Sequence, residues 1–271
     1  MVAHDGITIR RMTRNDLDQA VEWAAEEGWN PGLHDADTFF ATDPSGFFMA
    51  FDGDQPVGSI SAVAYDDQFG FIGFFIVKPA YRGHRVGIDL GNAALNYLES
   101  RNIGLDGVES KVKEYQFIGF KLAYNNERYE GITRRGVLGA GHIPATQAPF
   151  DLLDAFDRLH VAAPRQRFLS AWIKQTESTA LASMDQGEVS GYGVIRPCRK
   201  GYKIGPLFAK APSTAEALLD SLIASVPPDQ PFYLDLPCSN AAGIALAQKN
   251  DMKPIFKTAR MYNKFFPFLP V

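Results

Sequence analysis

The residues best placed to do chemistry lie in VKPAYRGHRVGI, Val77 to Ile88, between the apolar run FGFIGFFI (Phe69 to Ile76) and LGNAALNYL (Leu90 to Leu98). When a strand ends in a tight turn that feeds a helix, the backbone N–H groups of the turn and of the first helical residues have no intrahelical acceptor. Such groups attract an anion. Gly83 and Gly87 permit the turn and let a phosphate approach the main chain closely, while the helix dipole and the cations Arg82 and Arg85 favour negative charge. The spacing fits a pyrophosphate cradle; an ordinary glycine-containing start to a helix is the alternative reading. Other chemistries find less support. His4, His34, His84, His142 and His160 are scattered without the paired spacing of a metal-binding helix, so no metal is expected. A Gly-x-Ser-x-Gly nucleophile elbow is absent, which disfavours a hydrolase.

These residues need a scaffold, and the chain is long enough to build one. Its 271 residues, 46% of them apolar, can bury a core in one large domain or two of ordinary size. A formal charge of -4 supplies no basic field for nucleic acid or an anionic membrane. Cys198 and Cys238 cannot make a disulfide framework, and no charged segment followed by an apolar one opens the chain, so a reducing cytoplasm is expected. No run approaches the roughly 18 apolar residues of a membrane-spanning helix.

Alternation predicts strands at Ile7 to Met12, Phe47 to Phe51, Val57 to Tyr65 and Phe69 to Val77, with turns at Asp52-Gly53 and Asp66-Asp67. Helical spacing predicts Asp16 to Ala25, capped by Thr13, then Asp35 to Ala41, Ile88 to Leu98 and Val112 to Ile118. A brief strand at Leu105 to Val108 and an extended piece from Phe120 to Tyr129 complete this half. Residues 136–150, rich in Gly, Ala and Pro, read as a connector between a domain at 1–135 and another at 151–271. The second half predicts helices near Leu152 to His160 and Pro164 to Lys174. Strands follow at Thr179 to Met184, Val189 to Arg196 and Gly201 to Phe208. A helix at Thr214 to Ser225, a strand at Phe232 to Leu236, a helix at Asn240 to Asn250 and a strand at Ile255 to Met261 end it. The order of elements repeats. GFFIVK (Gly73 to Lys78) corresponds to GPLFAK (Gly205 to Lys210), and Gly119-Phe120 to Asp251-Met252, a period near 130 residues that marks a duplicated domain.

Val77 to Ile88 resembles the signature of the GNAT acetyltransferase family: an Arg or Gln, two residues, a Gly, one residue, and a Gly or Ala, which bind the pyrophosphate of acetyl-CoA. Arg82 and Gly87 match, while Arg85 stands where the middle Gly usually lies. Tyr115 precedes Gly119-Phe120 by four residues, as does the family's Tyr that protonates the departing thiolate. The corresponding position of the second half is Ala247, and AKAPST (Ala209 to Thr214) has no Gly-rich turn. The resemblance implies an α+β fold of two tandem GNAT-like lobes, the second degenerate. Each would be a twisted, mixed, mainly antiparallel sheet flanked by helices, with strands four and five splayed around the pantetheine arm. It places cofactor contacts on Phe75, Ile76 and Val77, where a bulge would aim the backbone, and on Arg82, Gly83, His84, Arg85, Val86, Gly87 and Ile88.

The reaction implied is direct acetyl transfer from acetyl-CoA, as cosubstrate, to a primary amine of a small molecule or peptide. The fourth-strand Glu that many relatives use as a base is absent, leaving Glu109, Asp66, Asp67 or a water relay. The acceptor is expected against GWNPGLH, through Trp29, Asn30 and His34, and near Asp235, whose charge would attract a cationic amine; Asn240 is expected to cap a helix. The substituted phosphate turn and the missing Glu leave a non-catalytic CoA-binding regulator as the alternative. A monomer or homodimer fits either reading.

Overall fold

The computed structural model describes residues 6–136, 139 and 141–270; Val137, Leu138 and Ala140 of the expected connector lie outside the described residues. The first half runs β1 (Ile7–Arg11), α1 (Arg14–Glu26), α2 (Asp35–Thr42), β2 (Phe47–Asp52), β3 (Gln55–Ala64), β4 (Phe69–Val77), α3 (Val86–Leu98), β5 (Asn102–Val108), α4 (Val112–Phe117) and β6 (Lys121–Ile132). After a short β7 (His142–Pro144), the second half runs α5 (Phe150–Arg158), α6 (Gln166–Trp172), β8 (Thr179–Asp185), β9 (Glu188–Pro197), β10 (Tyr202–Ala209), α7 (Pro212–Ala224), β11 (Pro231–Pro237), α8 (Ala241–Lys249) and β12 (Lys253–Tyr262). Among the described residues no helix is long and apolar enough to cross a membrane.

Local chemistry explains the helix starts. Thr13 and Asp16 form a capping box at α1, with Thr13 Oγ1 accepting from the Asp16 N–H and Asp16 accepting from the Thr13 N–H. Asn240 caps α8 by accepting from the Gly243 N–H at 2.8 Å. Several boundaries differ from the sequence reading by one to three residues, and two of them lie beside the phosphate turn and the strand that follows it. The helix α3 starts at Val86, ahead of Ile88, and β5 starts at Asn102, ahead of Leu105. The polar Asn102 hides that strand in an apolar pattern, but it is buried and its amide donates to the Phe265 carbonyl at 3.0 Å.

Among the described residues the strands join into one mixed sheet of twelve, ordered β1-β2-β3-β4-β5-β12-β6-β11-β10-β9-β8-β7. The two halves exchange their last strands: β5 pairs with β12, β11 pairs with β6, and β6 and β12 pair antiparallel at the centre. Each exchange is fastened by an ion pair between register partners. Arg260 of β12 grips Asp106 of β5 at 2.6 and 2.7 Å, and Arg128 of β6 grips Asp235 of β11 at 2.6 and 2.9 Å. On one face α3 seals the first half, with Leu90, Ala94 and Leu98 fully buried, and α7 the second, with Leu218 and Leu222. The opposite face holds α1 and α2 over the first half and α5 and α6 over the second.

In both halves a parallel strand pair opens. The β4-β5 pairing ends at Ile72 opposite Leu105, and the β10-β11 pairing ends at Ile204 opposite Leu234. A bulge lies just past each opening. In β4 the register jumps between Ser61↔Gly73 and Ser59↔Ile76. Phe74 takes φ 45, a conformation that bulky residues rarely adopt, and the Ser59 hydroxyl holds it by donating to the Phe74 carbonyl at 2.8 Å. In β10 the bulge falls between Ile204 and Leu207 and contains the cis Gly205-Pro206 bond.

Candidate active site

The bulge leaves Phe75, Ile76 and Val77 with no partner strand on the β5 side, so their main-chain groups line an open slot. Beyond Val77 the chain makes one short turn, Pro79–Tyr81, which the Tyr81 hydroxyl secures by donating to Asp52 at 2.8 Å. Gly83 follows at φ 80, a value that a side chain would strain. The backbone N–H groups of Gly83, Arg85, Val86, Gly87 and Ile88 have no acceptor among the described residues, whereas Asp89 N–H already donates to the Arg85 carbonyl. They converge at the positive end of α3. Exposed His84 lies in the same turn. Gly87 keeps the approach clear, because a Cβ there would fill the space beside Val77 Cγ2 (3.7 Å) and Phe75 Cζ (3.8 Å). Arg82 turns back, donating from Nε to the Val77 carbonyl at 2.8 Å and pairing with Glu27, so it braces the turn. Arg85 has helical φ and ψ, which need no glycine, and its exposed side chain lies against Asp89 at 3.1 Å. The residues present therefore fit a diphosphate.

Tyr115 stands on α4. Its ring lies against Gly107 of β5, where a Cβ would come within 2.8 Å of it, and meets Phe120 edge-on at 6.2 Å. Burial, with help from the Glu114 charge, raises the phenol's pKa, so it holds its proton at neutral pH. The hydroxyl has no hydrogen-bond partner among the described residues.

On the sheet face opposite α3, a chamber of about 1060 Å³ spans the seam between the halves and continues through the β10-β11 gap toward the starts of α7 and α8. Phe71 and Asp106 bound it where β4 and β5 part, Arg128 and Asp235 at the centre, and Arg196 and Lys203 on the far side. Arg196 grips buried Asp35 of α2 at 2.7 and 3.1 Å and lies over the Trp172 ring at 4.4 Å. Burial pushes the Asp35 carboxyl up, but Arg196, aided by Lys203 and Gln175, more than reverses this and holds it below the usual carboxylate range. Burial and the neighbouring Arg128 charge pull Lys203 down to about 8.

Comparison with known proteins agrees with this architecture. A profile described as "Acetyltransferase (GNAT) family" matches residues 14–118, and one described as "Acetyltransferase (GNAT) domain" matches residues 154–267. A protein of Pseudoalteromonas sp. (strain SANK 73390) named "Holothin acyltransferase" is 31% identical over 242 residues, covering 89% of this chain and 82% of that one. The chain belongs to the GNAT acetyltransferases. It is a tandem GNAT protein and an acyltransferase, and members of the family use acetyl-CoA as cosubstrate. Two solved structures share the fold over nearly all of their length. A putative acetyltransferase from Pyrococcus horikoshii has a TM-score of 0.83 at 22% identity, covering 100% of this chain and 94% of that one. A tandem GNAT protein from the clavulanic acid biosynthesis pathway has a TM-score of 0.64 at 13% identity, covering 94% and 98%.

In this GNAT protein the second lobe keeps the splayed slot without the cradle. The N–H groups of Thr214 and Ala215 both donate to the Ala211 carbonyl at 3.1 Å, that of Lys210 donates to Ser190, and Pro212 has none. Ala247, which replaces Tyr115, is fully buried. The residues expected around the acceptor divide. Asp235 lines the chamber, but both its oxygens are held by Arg128, so it is no open lure for a cation. Trp29, Asn30 and His34 are half-buried in the lobe seam and do not line the chamber. Asn30 exchanges hydrogen bonds with the Lys200 backbone at 3.0 and 3.1 Å, His34 meets Glu177 at 2.8 Å, and the Trp29 carbonyl accepts from Arg128 at 2.9 Å. Of the possible bases, Asp66 caps its own turn, Asp67 is almost fully exposed, and Glu109 lies 3.9 Å from Lys257; none of the three lines the chamber. Sequence reasoning passed over Asp106, Arg128, Lys203 and Arg260. The one signal for three of them is that Asp106 and Arg128 recur as Asp235 and Arg260 at the period of the duplication.

Proposed function

We propose that this protein transfers an acetyl group from acetyl-CoA, held by its first lobe, directly to a primary amine of a small molecule or peptide in the interlobe chamber. The observation that carries the reading is the set of unsatisfied N–H groups at Gly83 and Arg85 to Ile88, beside a strand edge freed by the β4 bulge. Bound acetyl-CoA supplies an activated acyl group as a thioester. The main chain of Phe75, Ile76 and Val77 would hold the arm, and the turn from Arg82 to Ile88, His84 included, the diphosphate. As the amine nitrogen bonds to the acetyl carbon and the C–S bond breaks, Tyr115, protonated and without a hydrogen-bond partner among the described residues, would donate its proton to the leaving sulfur, and the proton lost by the amine would pass to water. The second lobe would wall the acceptor side, with Asp235 held by Arg128 within it and Trp29, Asn30 and His34 supporting its rim through the seam. A small-molecule acceptor suits both the chamber volume and the relative named for holothin. We further place the lobes at 1–135 and 151–271. We also place the protein in a reducing cytoplasm, as a monomer or homodimer, with Cys198 and Cys238 as thiols.

Calorimetric titration tests the first step. Acetyl-CoA is expected to bind in the micromolar range, about -8 kcal/mol. Thiol release across a panel of amines, amino acids, polyamines and aminoglycosides tests the second. Absence of acetyl-CoA binding refutes the proposal.

A further inference from the structure

A buried charge in the chamber wall, that of Lys203, has no counter-ion among the described residues. Lys203 is 8% exposed and lines the chamber, and its ammonium donates to the carbonyls of Asn30 at 2.8 Å and Trp29 at 3.4 Å. No carboxylate lies within ion-pairing distance of it among the described residues. The two acids nearest in the cluster are committed elsewhere, Asp235 to both prongs of Arg128 and Asp35 to both prongs of Arg196. Three cations and two carboxylates therefore share this part of the seam, leaving an excess of one buried positive charge. A buried ion without an opposite partner is strongly disfavoured, and an anion admitted through the chamber would relieve it. The low pKa of Lys203 has the same origin, and at neutral pH the group still carries its proton. Elsewhere the same chamber is lined by the rings of Phe39, Phe71, Phe168, Trp172 and Phe256.

We propose that the acceptor is an amine with an apolar or aromatic body and a carboxylate, and that Lys203 selects it by binding that carboxylate. This rests on reading the chamber as the acceptor site and reverses the polarity expected from Asp235 alone. A structural role for Lys203, tying the loop at Trp29 and Asn30 to β10, would change stability without sensing ligand charge.

Benzoate and benzamide share a shape and differ in charge, so ligand-observed NMR with the full chain at pH 7 compares them directly. We expect benzoate to bind at least tenfold tighter, Lys203→Arg to keep that preference and Lys203→Met to erase it, with melting curves confirming that each variant folds. Equal binding of the two probes to the parent protein, or a preference that survives Lys203→Met, overturns the inference. Thiol release from acetyl-CoA with 4-(aminomethyl)benzoate against benzylamine provides the catalytic arm. If benzoate binds through Lys203 but no amine in the panel releases thiol, the proposed reaction fails while the carboxylate site stands. If amines react while the probes bind alike, the carboxylate site fails alone.

Discussion

Replacing Gly87 with Glu should move stability and cofactor binding in opposite directions. Gly87 is the second residue of α3, without positive φ, and a Cβ there meets only Val77 and Phe75 at ordinary contact distance. Removing a helical glycine contributes about 0.5 to 1 kcal/mol, and an acid in the first turn about 0.3 to 1 kcal/mol more through the helix dipole. The net gain of about 1 kcal/mol should raise Tm by roughly 2 to 4 °C in a protein of this size. Binding should suffer. A carboxylate about 5 Å from one phosphate charge, at an effective dielectric constant near 20, repels it by about 3 kcal/mol. That weakens a micromolar affinity roughly a hundredfold, before any loss from bulk. Calorimetry with acetyl-CoA and a thermal melt on the same preparation read both effects. Gly87→Gln adds bulk without charge and should fall between. A Gly87→Glu protein that binds acetyl-CoA as well as the parent would refute the placement of the diphosphate at this turn.

Tyr115→Phe should leave the acetyl-CoA affinity unchanged and lower kcat by about a hundredfold or more, as expected when a positioned proton donor is removed; equal turnover at every pH would end that assignment. Arg196→Met should cost about 3 to 5 kcal/mol in urea unfolding, because it leaves Asp35 buried without its counter-ion. The folded-state pKa of Asp35 lies below its unfolded value. Its contribution is therefore complete above about pH 4 and is lost as pH falls further, and urea midpoints between about pH 5 and 3 should show a steeper acid loss in the parent than in Arg196→Met. Asp16, lowered to about 2 by Arg10 and the Thr13 cap, contributes in the same direction to both proteins and cancels in the comparison. Thr13→Ala should cost about 1 kcal/mol by the same assay.

The elements around the β4 slot and the turn that follows it were legible because local rules define them. The apolar run Phe69 to Val77, the turn glycines and the amphipathic Leu90 to Leu98 each state their own geometry. The caps Thr13 and Asn240 likewise announced two helices. The exchange of β6 and β12 was not legible, because alternation tells a strand which face to bury but says nothing of its neighbour. Only the recurrence of Asp106 and Arg128 as Asp235 and Arg260 carried that information, and it is intelligible once the pairs are seen facing each other. The acceptor side was the least legible. Lys203 reads as one more residue of a strand, and its significance arises from Arg128 and Arg196, brought beside it from 75 positions before it and from the neighbouring strand β9.

The strand exchange bears on how the chain is made. The edge of β5 stays open during synthesis until β12, about 150 residues later, leaves the ribosome, so the first half cannot complete its sheet ahead of the half that follows. An unpaired edge is a template for pairing with another chain, which makes the nascent protein dependent on rapid completion or on a chaperone. Cutting the gene at the connector would then yield two fragments that need each other in solution, and co-expressing them should rescue what neither achieves alone.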